Sequence, residues 1–178
     1  MKELLRQLTE VYGPSGNEDK IRDMIIGKVK PYADSITVDK LGNVVATKNG
    51  PGEKLMLAAH MDEIGVIVTG VDEKGFLRFS NVGGISPFTL IGERVVFANG
   101  TLGVLGMEKL EDMKNLKLNK MFIDIGAISR EEALKKVSIG DMGVLYRKCN
   151  FTGEHVISKA LDDRAGCAVL IKVLEKVK

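Results

Sequence analysis

The chain changes texture twice along its length, and this restricts its fold more than any other feature. Between residues 66 and 148, short runs rich in Val, Ile and Phe cover 66–71, 76–81, 94–98, 102–105, 122–125 and 143–148. Lys74-Gly75, Gly83-Gly84, Asn99-Gly100 and Gly140-Asp141 punctuate them. Many short strands with recurrent glycine turns predict a small all-β barrel or sandwich. Ser129-Arg130-Glu131-Glu132 is a capping-box pattern that places one helix inside it, over Ala133-Leu134-Lys135-Lys136. The flanking segments read differently, so the order predicts an α/β domain (1–65 and 152–178) divided by a β insert (66–151).

In the first flank, Leu4, Leu8, Val11 and Tyr12 form an apolar stripe at helical spacing, ended by Gly13-Pro14. Ser15-Gly16-Asn17-Glu18 reads as a second capping box, with Ile21, Met24, Ile25 and Val29 as the buried face of the helix that follows. Residues 36–38 and 44–47 read as a hairpin turning through Leu41-Gly42-Asn43. Residues 54–60 are apolar on both faces, as expected of a buried strand covered by helices on each side. In the second flank, 155–160 reads as a strand, 161–166 as a loop, and 167–177 as a helix with Ala168, Ile171 and Leu174 on one face.

Composition narrows the function classes. With 44% hydrophobic and 28% charged residues, the chain belongs with globular proteins. Its formal charge of +2, scattered Lys and Arg, and 5% aromatics give no footprint for nucleic acid. Cys149 and Cys167 are too few for a disulfide framework and read as reduced thiols in a cytoplasmic protein. No signal-peptide core and no membrane-spanning run is expected.

Chemistry is expected at two places. The run Leu55-Met56-Leu57-Ala58-Ala59 delivers His60, and two residues later Asp62, to the end of its strand. Open α/β sheets gather reactive groups at the carboxyl ends of strands. A neutral imidazole there can ligate a metal if another group fixes its tautomer, and a carboxylate is the usual partner. The second place is Lys159-Ala160-Leu161-Asp162-Asp163-Arg164-Ala165-Gly166-Cys167, where two carboxylates stand at a strand-to-helix junction. A carboxylate is favoured at a helix N-terminus and can bridge two divalent ions. If the two strands are neighbours, His60 and Asp162 open onto one crevice. Each motif also has a plainer reading. A histidine at a strand end is often a hydrogen-bonded structural residue, and Asp-Asp before a helix is often an N-cap and a first-turn acid. Glu131-Glu132 is explained by its capping box, His155 reads as a partly buried strand residue, and Cys167 as a small apolar helix residue.

Together the blocks Ala58-Ala59-His60-Met61-Asp62-Glu63-Ile64-Gly65 and Lys159–Cys167 resemble signatures of the dinuclear-metal aminopeptidases. That family includes the glutamyl and deblocking enzymes that form tetrahedral particles, and some members carry the label endoglucanase or cellulase M. Gly13-Pro14-Ser15-Gly16-Asn17-Glu18, Asp39-Lys40-Leu41-Gly42-Asn43 and Phe122-Ile123-Asp124-Ile125-Gly126-Ala127 match its style, so the similarity runs from end to end. The resemblance implies a zinc-exopeptidase-like α/β sheet flanked by helices, incomplete here and interrupted by a small β-barrel dimerisation domain. It implies two divalent ions, zinc or cobalt, with His60 ligating one, Asp162 bridging both, and Asp62 orienting His60 as a catalytic residue. It also implies a peptide substrate, a homo-oligomer formed through the β insert, and a cis bond between Asp162 and Asp163. Members run to nearly twice this length, and their Glu-Glu pair and later Asp and His ligands have no counterpart here. The resemblance therefore implies an N-terminal fragment, inactive alone.

Two other classes compete. A glycoside hydrolase is suggested by the endoglucanase label, yet it needs two carboxyl groups facing each other about 5–9.5 Å apart across a sugar. Adjacent Asp162-Asp163 do not supply that, and the chain has no Trp to stack on a sugar. A non-catalytic oligomerisation module, with residues 66–151 as the functional part, is the third class. Chelator inhibition separates the first class from the second, and metal content separates it from the third.

Overall fold

The structure is a computed structural model that describes residues 1–177. In chain order its helices are α1 (Lys2–Glu10), α2 (Asp19–Val29), α3 (Arg130–Lys136) and α4 (Leu161–Lys176). Its strands are β1 (Ser35–Val38), β2 (Val44–Thr47), β3 (Gly65–Val71), β4 (Leu77–Val82), β5 (Arg94–Phe97), β6 (Leu102–Met107), β7 (Met121–Asp124), β8 (Met142–Leu145), β9 (Asn150–Thr152) and β10 (His155–Ile157). Two compact units emerge, one from Met1–Asp62 with the segment from Lys148 onward, the other from Glu63–Arg147. The β unit thus starts three residues earlier than 66 and ends four before 151. Phe151 lies outside it because β9 pairs with β10 and with no barrel strand. None of the described helices is long and apolar enough to cross a membrane.

The β unit is a closed barrel in the order β3-β4-β7-β6-β5-β8, with every pairing antiparallel. Alternation along each strand sends one face inward: Val66, Val68, Leu77, Phe79, Val95, Phe97, Leu105, Met121, Ile123 and Val144 are all buried. A bulge between Val68 and Gly70 shifts the alternation by one, which turns Val71 inward instead of Gly70. Closure leaves no free sheet edge. The expected cap on α3 is present: Ser129 Oγ accepts from Glu132 N at 3.2 Å, and Glu132 Oε2 accepts from Ile128 N at 3.1 Å. Glu132 and Glu131 also pair with Lys136 and Lys135 one turn on, so both carboxylates are occupied structurally.

The other unit is held by helices. Leu4 and Leu8 of α1, Ile21 and Val29 of α2, and Cys167, Ala168 and Ile171 of α4 form its buried core. A side chain buried as fully as Leu8 or Ile21 contributes roughly 1.5–3 kcal/mol. β1 and β2 form the expected hairpin, registered from Ser35↔Thr47 to Val38↔Val44. Four expectations fail here. Residues 53–60 are not a buried strand: they form no ladder, and Leu55, Met56 and Leu57 are 84%, 87% and 51% exposed. A strand requires a hydrogen-bonded neighbour, whereas β1 and β2 pair only with each other, as do β9 and β10, so the helix-flanked sheet is absent among the described residues. Residues 161–166 are not a loop, since α4 begins at Leu161, with non-helical dihedrals confined to Asp162 and Asp163. His155 is exposed rather than partly buried, on a β9–β10 ribbon of only two strands.

Candidate metal centre

The candidate residues all lie in the helical unit, and its core aims them. Ala59 and Met61 pack against the core. His60 between them is therefore turned outward, with its side chain 55% exposed. Asp162 and Asp163 open α4 before its regular turns begin, and the bond joining them is cis, as the resemblance implied. Asp162 is left facing out, while Asp163 Oδ1 accepts the Gly166 amide at 3.1 Å and serves as a helix-terminal acceptor.

Across 102 residues of sequence, His60 Nε2 and Asp162 Oδ1 meet at 3.0 Å. Two tetrahedral ligands each ~2.0–2.2 Å from one zinc stand roughly 3.4 Å apart. The observed pair is within half an ångström of that bite. On its other side, His60 Nδ1 lies 2.9 Å from Asp62 Oδ1. Burial acts to lower the His60 pKa, but the bonds to Asp162 and Asp62 outweigh it and raise it above the ordinary value. For Asp62, burial acts upward, yet the hydroxyl of Ser15 and the His60 ring hold it below the usual carboxylate range. Carboxylates on both ring nitrogens favour the imidazolium, so a proton occupies the line that a cation would take.

The donors fit part of a divalent metal site. An imidazole nitrogen and a carboxylate oxygen converge, and the second ring nitrogen is tied to another carboxylate, the arrangement that orients metal-bound histidines. No cluster of three or more His, Cys, Asp or Glu placed to hold a metal ion exists among the described residues.

Two residues given no role at this site from sequence are part of its framework. Ser15, expected to cap α2, instead donates to Asp62 Oδ2. Glu18 is the N-cap position and its carboxylate accepts from Gly16 N, so the expected reciprocal capping box does not form. The helix starts at Asp19, which leaves Ser15 three residues ahead of the N-cap position, while its O–H finds a charged acceptor in Asp62. Arg164 is fully buried and donates to Met61 O at 2.8 Å, Leu8 O at 2.9 Å, Val11 O at 2.6 Å and Gly13 O at 3.2 Å. A cation is favoured where a helix leaves its last carbonyls unpaired, as α1 does here. The signal for Arg164 was present in sequence: it shares the spacing of Cys167, Ala168 and Ile171, which put a charge on a buried stripe. No comparable pattern marked Ser15. Cys167 is buried as expected, and its thiol points at His60 O at 3.3 Å. Burial, reinforced by the Asp163 charge, pushes its pKa up to about 11.

Comparison with known proteins gives the family. The family model described as M42 glutamyl aminopeptidase matches residues 42–178. A "Putative aminopeptidase" of Acetivibrio thermocellus is 57% identical over 179 residues, covering 100% of this chain and 54% of its own. Among solved structures, an aminopeptidase from the archaeon Desulfurococcus kamchatkensis superposes with a TM-score of 0.93 at 38% identity, over 99% of this chain and 52% of that one. The Pyrococcus horikoshii TET1 peptidase, described as assembling into a tetrahedron or a large octahedral shell, matches with a TM-score of 0.88 at 38% identity, over 98% and 56%. A Thermotoga maritima protein described as an endoglucanase also reaches 0.88, at 39% identity over 96% and 53%. The chain spans about half the length of the curated relatives it matches. Matched from end to end by sequence and fold, the chain belongs to the M42 glutamyl aminopeptidase family.

Proposed function

We propose that this chain supplies part of the active site of a metal-dependent aminopeptidase that removes N-terminal residues from peptides. The observation that carries the reading is the 3.0 Å approach of His60 Nε2 to Asp162 Oδ1, with Nδ1 tied to Asp62. In this reading His60 and Asp162 would hold a zinc or cobalt pair, with Asp162 as the ligand shared between the ions, and Asp62 would orient the His60 ring for it. Two divalent ions would act there as Lewis acids that stabilise the attacking and leaving oxygens of peptide hydrolysis. Asp162, at 97% side-chain exposure, is open to ligands from outside the described residues. The β-barrel unit is the surface we assign to self-association, in line with the assembly described for the TET1 peptidase. Peptide is the substrate class; nucleic acid and membrane have no part in the reading.

The endoglucanase description of one structural neighbour favours a second reading, glycoside hydrolysis. The geometry weighs against it, since Asp162 is turned to His60 and Asp163 to the Gly166 amide, so these two carboxyls do not face each other across a sugar.

The test is hydrolysis of leucine and glutamate anilides, and of carboxymethyl-cellulose, with zinc or cobalt and with a chelator. This chain alone is expected to hydrolyse neither. Joined to the remaining half of a relative's sequence, it is expected to gain chelator-sensitive anilide cleavage and no cellulase activity. Metal-independent cellulose cleavage would overturn the aminopeptidase reading.

A further inference from the structure

We propose that Ser15 is a positioning residue for the metal-binding imidazole: its hydroxyl holds the Asp62 oxygen that His60 does not use, which fixes Asp62 as acceptor for His60 Nδ1–H and keeps it off the metal. The proposal rests on the metal reading of His60 and Asp162.

Asp62 has two oxygens with different partners. Oδ1 faces His60 Nδ1 at 2.9 Å and Oδ2 accepts from Ser15 Oγ, 47 residues earlier in the chain. A carboxylate rotates about a broad two-fold torsion, so one hydrogen bond leaves it able to turn and swap oxygens. Two residues beyond a ligand, a freed carboxylate oxygen would also compete for the same cation. The Ser15 bond removes both options. It also fixes the orientation of the ring: Asp62 Oδ1 stays with Nδ1–H, and Nε2 stays the nitrogen that meets Asp162 and would face a cation once its proton is displaced.

Ser15 suits the task because its own loop is pinned. Asn17 N bonds Pro14 O at 2.9 Å, and the buried Arg164 bonds Gly13 O at 3.2 Å. At Gly13, a Cβ would stand 2.5 Å from Ile21 Cγ2 and 2.9 Å from the Arg164 guanidinium, so the loop packs against its surroundings without slack. Gly16 turns the chain with φ +87°, directly after the serine. The hydroxyl is therefore delivered to Asp62 at little further entropic cost. A purely structural role, fastening residues 13–18 to residue 62, predicts something different: altered stability with an unaltered ring.

Ser15→Ala and Ser15→Thr in this chain decide between them. The metal-free His60 ring is followed by long-range proton–nitrogen NMR, zinc affinity by competition with a chromophoric chelator, and stability by urea. Ser15→Ala is expected to broaden the Nδ1–H signal and weaken zinc about tenfold, the lower end of what loss of an outer partner of a metal ligand costs. Ser15→Thr, which keeps the hydroxyl, is expected to restore both. Unchanged ring signals and zinc affinity in Ser15→Ala would overturn the proposal, whatever happens to stability. Zinc affinity is read on the chain joined to the remaining half of a relative's sequence, where further ligands are available; failure of that protein to take up zinc or cobalt would count against the metal reading, and the ring signals would still report whether Ser15 positions His60.

Discussion

Arg164→Met offers the sharpest check on how the site is held. The substitution keeps most of the apolar stem and removes every donor. Four backbone carbonyls lose partners: Leu8, Val11 and Gly13 around the end of α1, and Met61 between His60 and Asp62. Hydrogen bonds from a charged donor contribute about 1.5–3 kcal/mol each, and a buried acceptor left unpaired costs about 1–3 kcal/mol. Simple addition gives well over 6 kcal/mol, which is too much. Burying a guanidinium itself costs several kcal/mol, and methionine recovers that term. The net expectation is a destabilisation of ~3–5 kcal/mol, the range for breaking a buried charged network. Urea unfolding followed by far-UV circular dichroism suits the assay, because the chain has no Trp and the long helices α1, α2 and α4 report the right unit. Arg164→Lys should fall between, since an ammonium offers three donors without the planar fork. A loss below ~1 kcal/mol for Arg164→Met would show that water or a shifted backbone satisfies those carbonyls, and that the buried cation does not hold the His60–Asp62 segment.

Three further outcomes are expected. Cys167, with its pKa near 11, exposes roughly one thiolate in several thousand at pH 7.5, so iodoacetamide should label it only after denaturant is added; rapid labelling of the native chain would refute its burial. Because the folded His60 pKa is raised, the His60–carboxylate interaction is fully present below the unfolded value of about 6.5 and is lost as pH rises through the folded pKa; zinc must displace that proton, so apparent zinc affinity should climb up to tenfold per pH unit below the folded pKa and then level off, as calorimetry in buffers of different ionisation enthalpy would show. Gly103→Ala should destabilise the barrel by ~1–3 kcal/mol, since the added methyl meets Ile123 and Ile125 on the inner face; thermal unfolding measures it.

Much of this protein was determined by sequence alone, and the reason is local. Strand alternation and glycine turns between residues 66 and 148 already described a small all-β barrel or sandwich, since period-two burial and turn chemistry act over a few residues; closure into a barrel is a matter of long-range pairing. The stripes Leu4-Leu8 and Ile21-Ile25-Val29 located α1 and α2 for the same reason, and Ser129 with Glu132 located the start of α3. The pairing of His60 with Asp162 followed from two motifs whose resemblance to one family was specific. The tertiary structure decided matters that depend on which partner competes best. Residues 54–60 have the composition of a buried strand, but a strand exists only where another strand pairs with it, and none of the described strands does. Ser15 has the spacing of a helix cap, yet α2 starts later, with Glu18 at its N-cap, and the Ser15 hydroxyl donates to a carboxylate brought in from residue 62. Arg164 is a surface residue by type, and only the convergence of three helix-end carbonyls with Met61 makes its burial favourable. Such partnerships join residues 47 to 156 positions apart, so a local pattern can place Arg164 on a buried stripe without naming the carbonyls it meets.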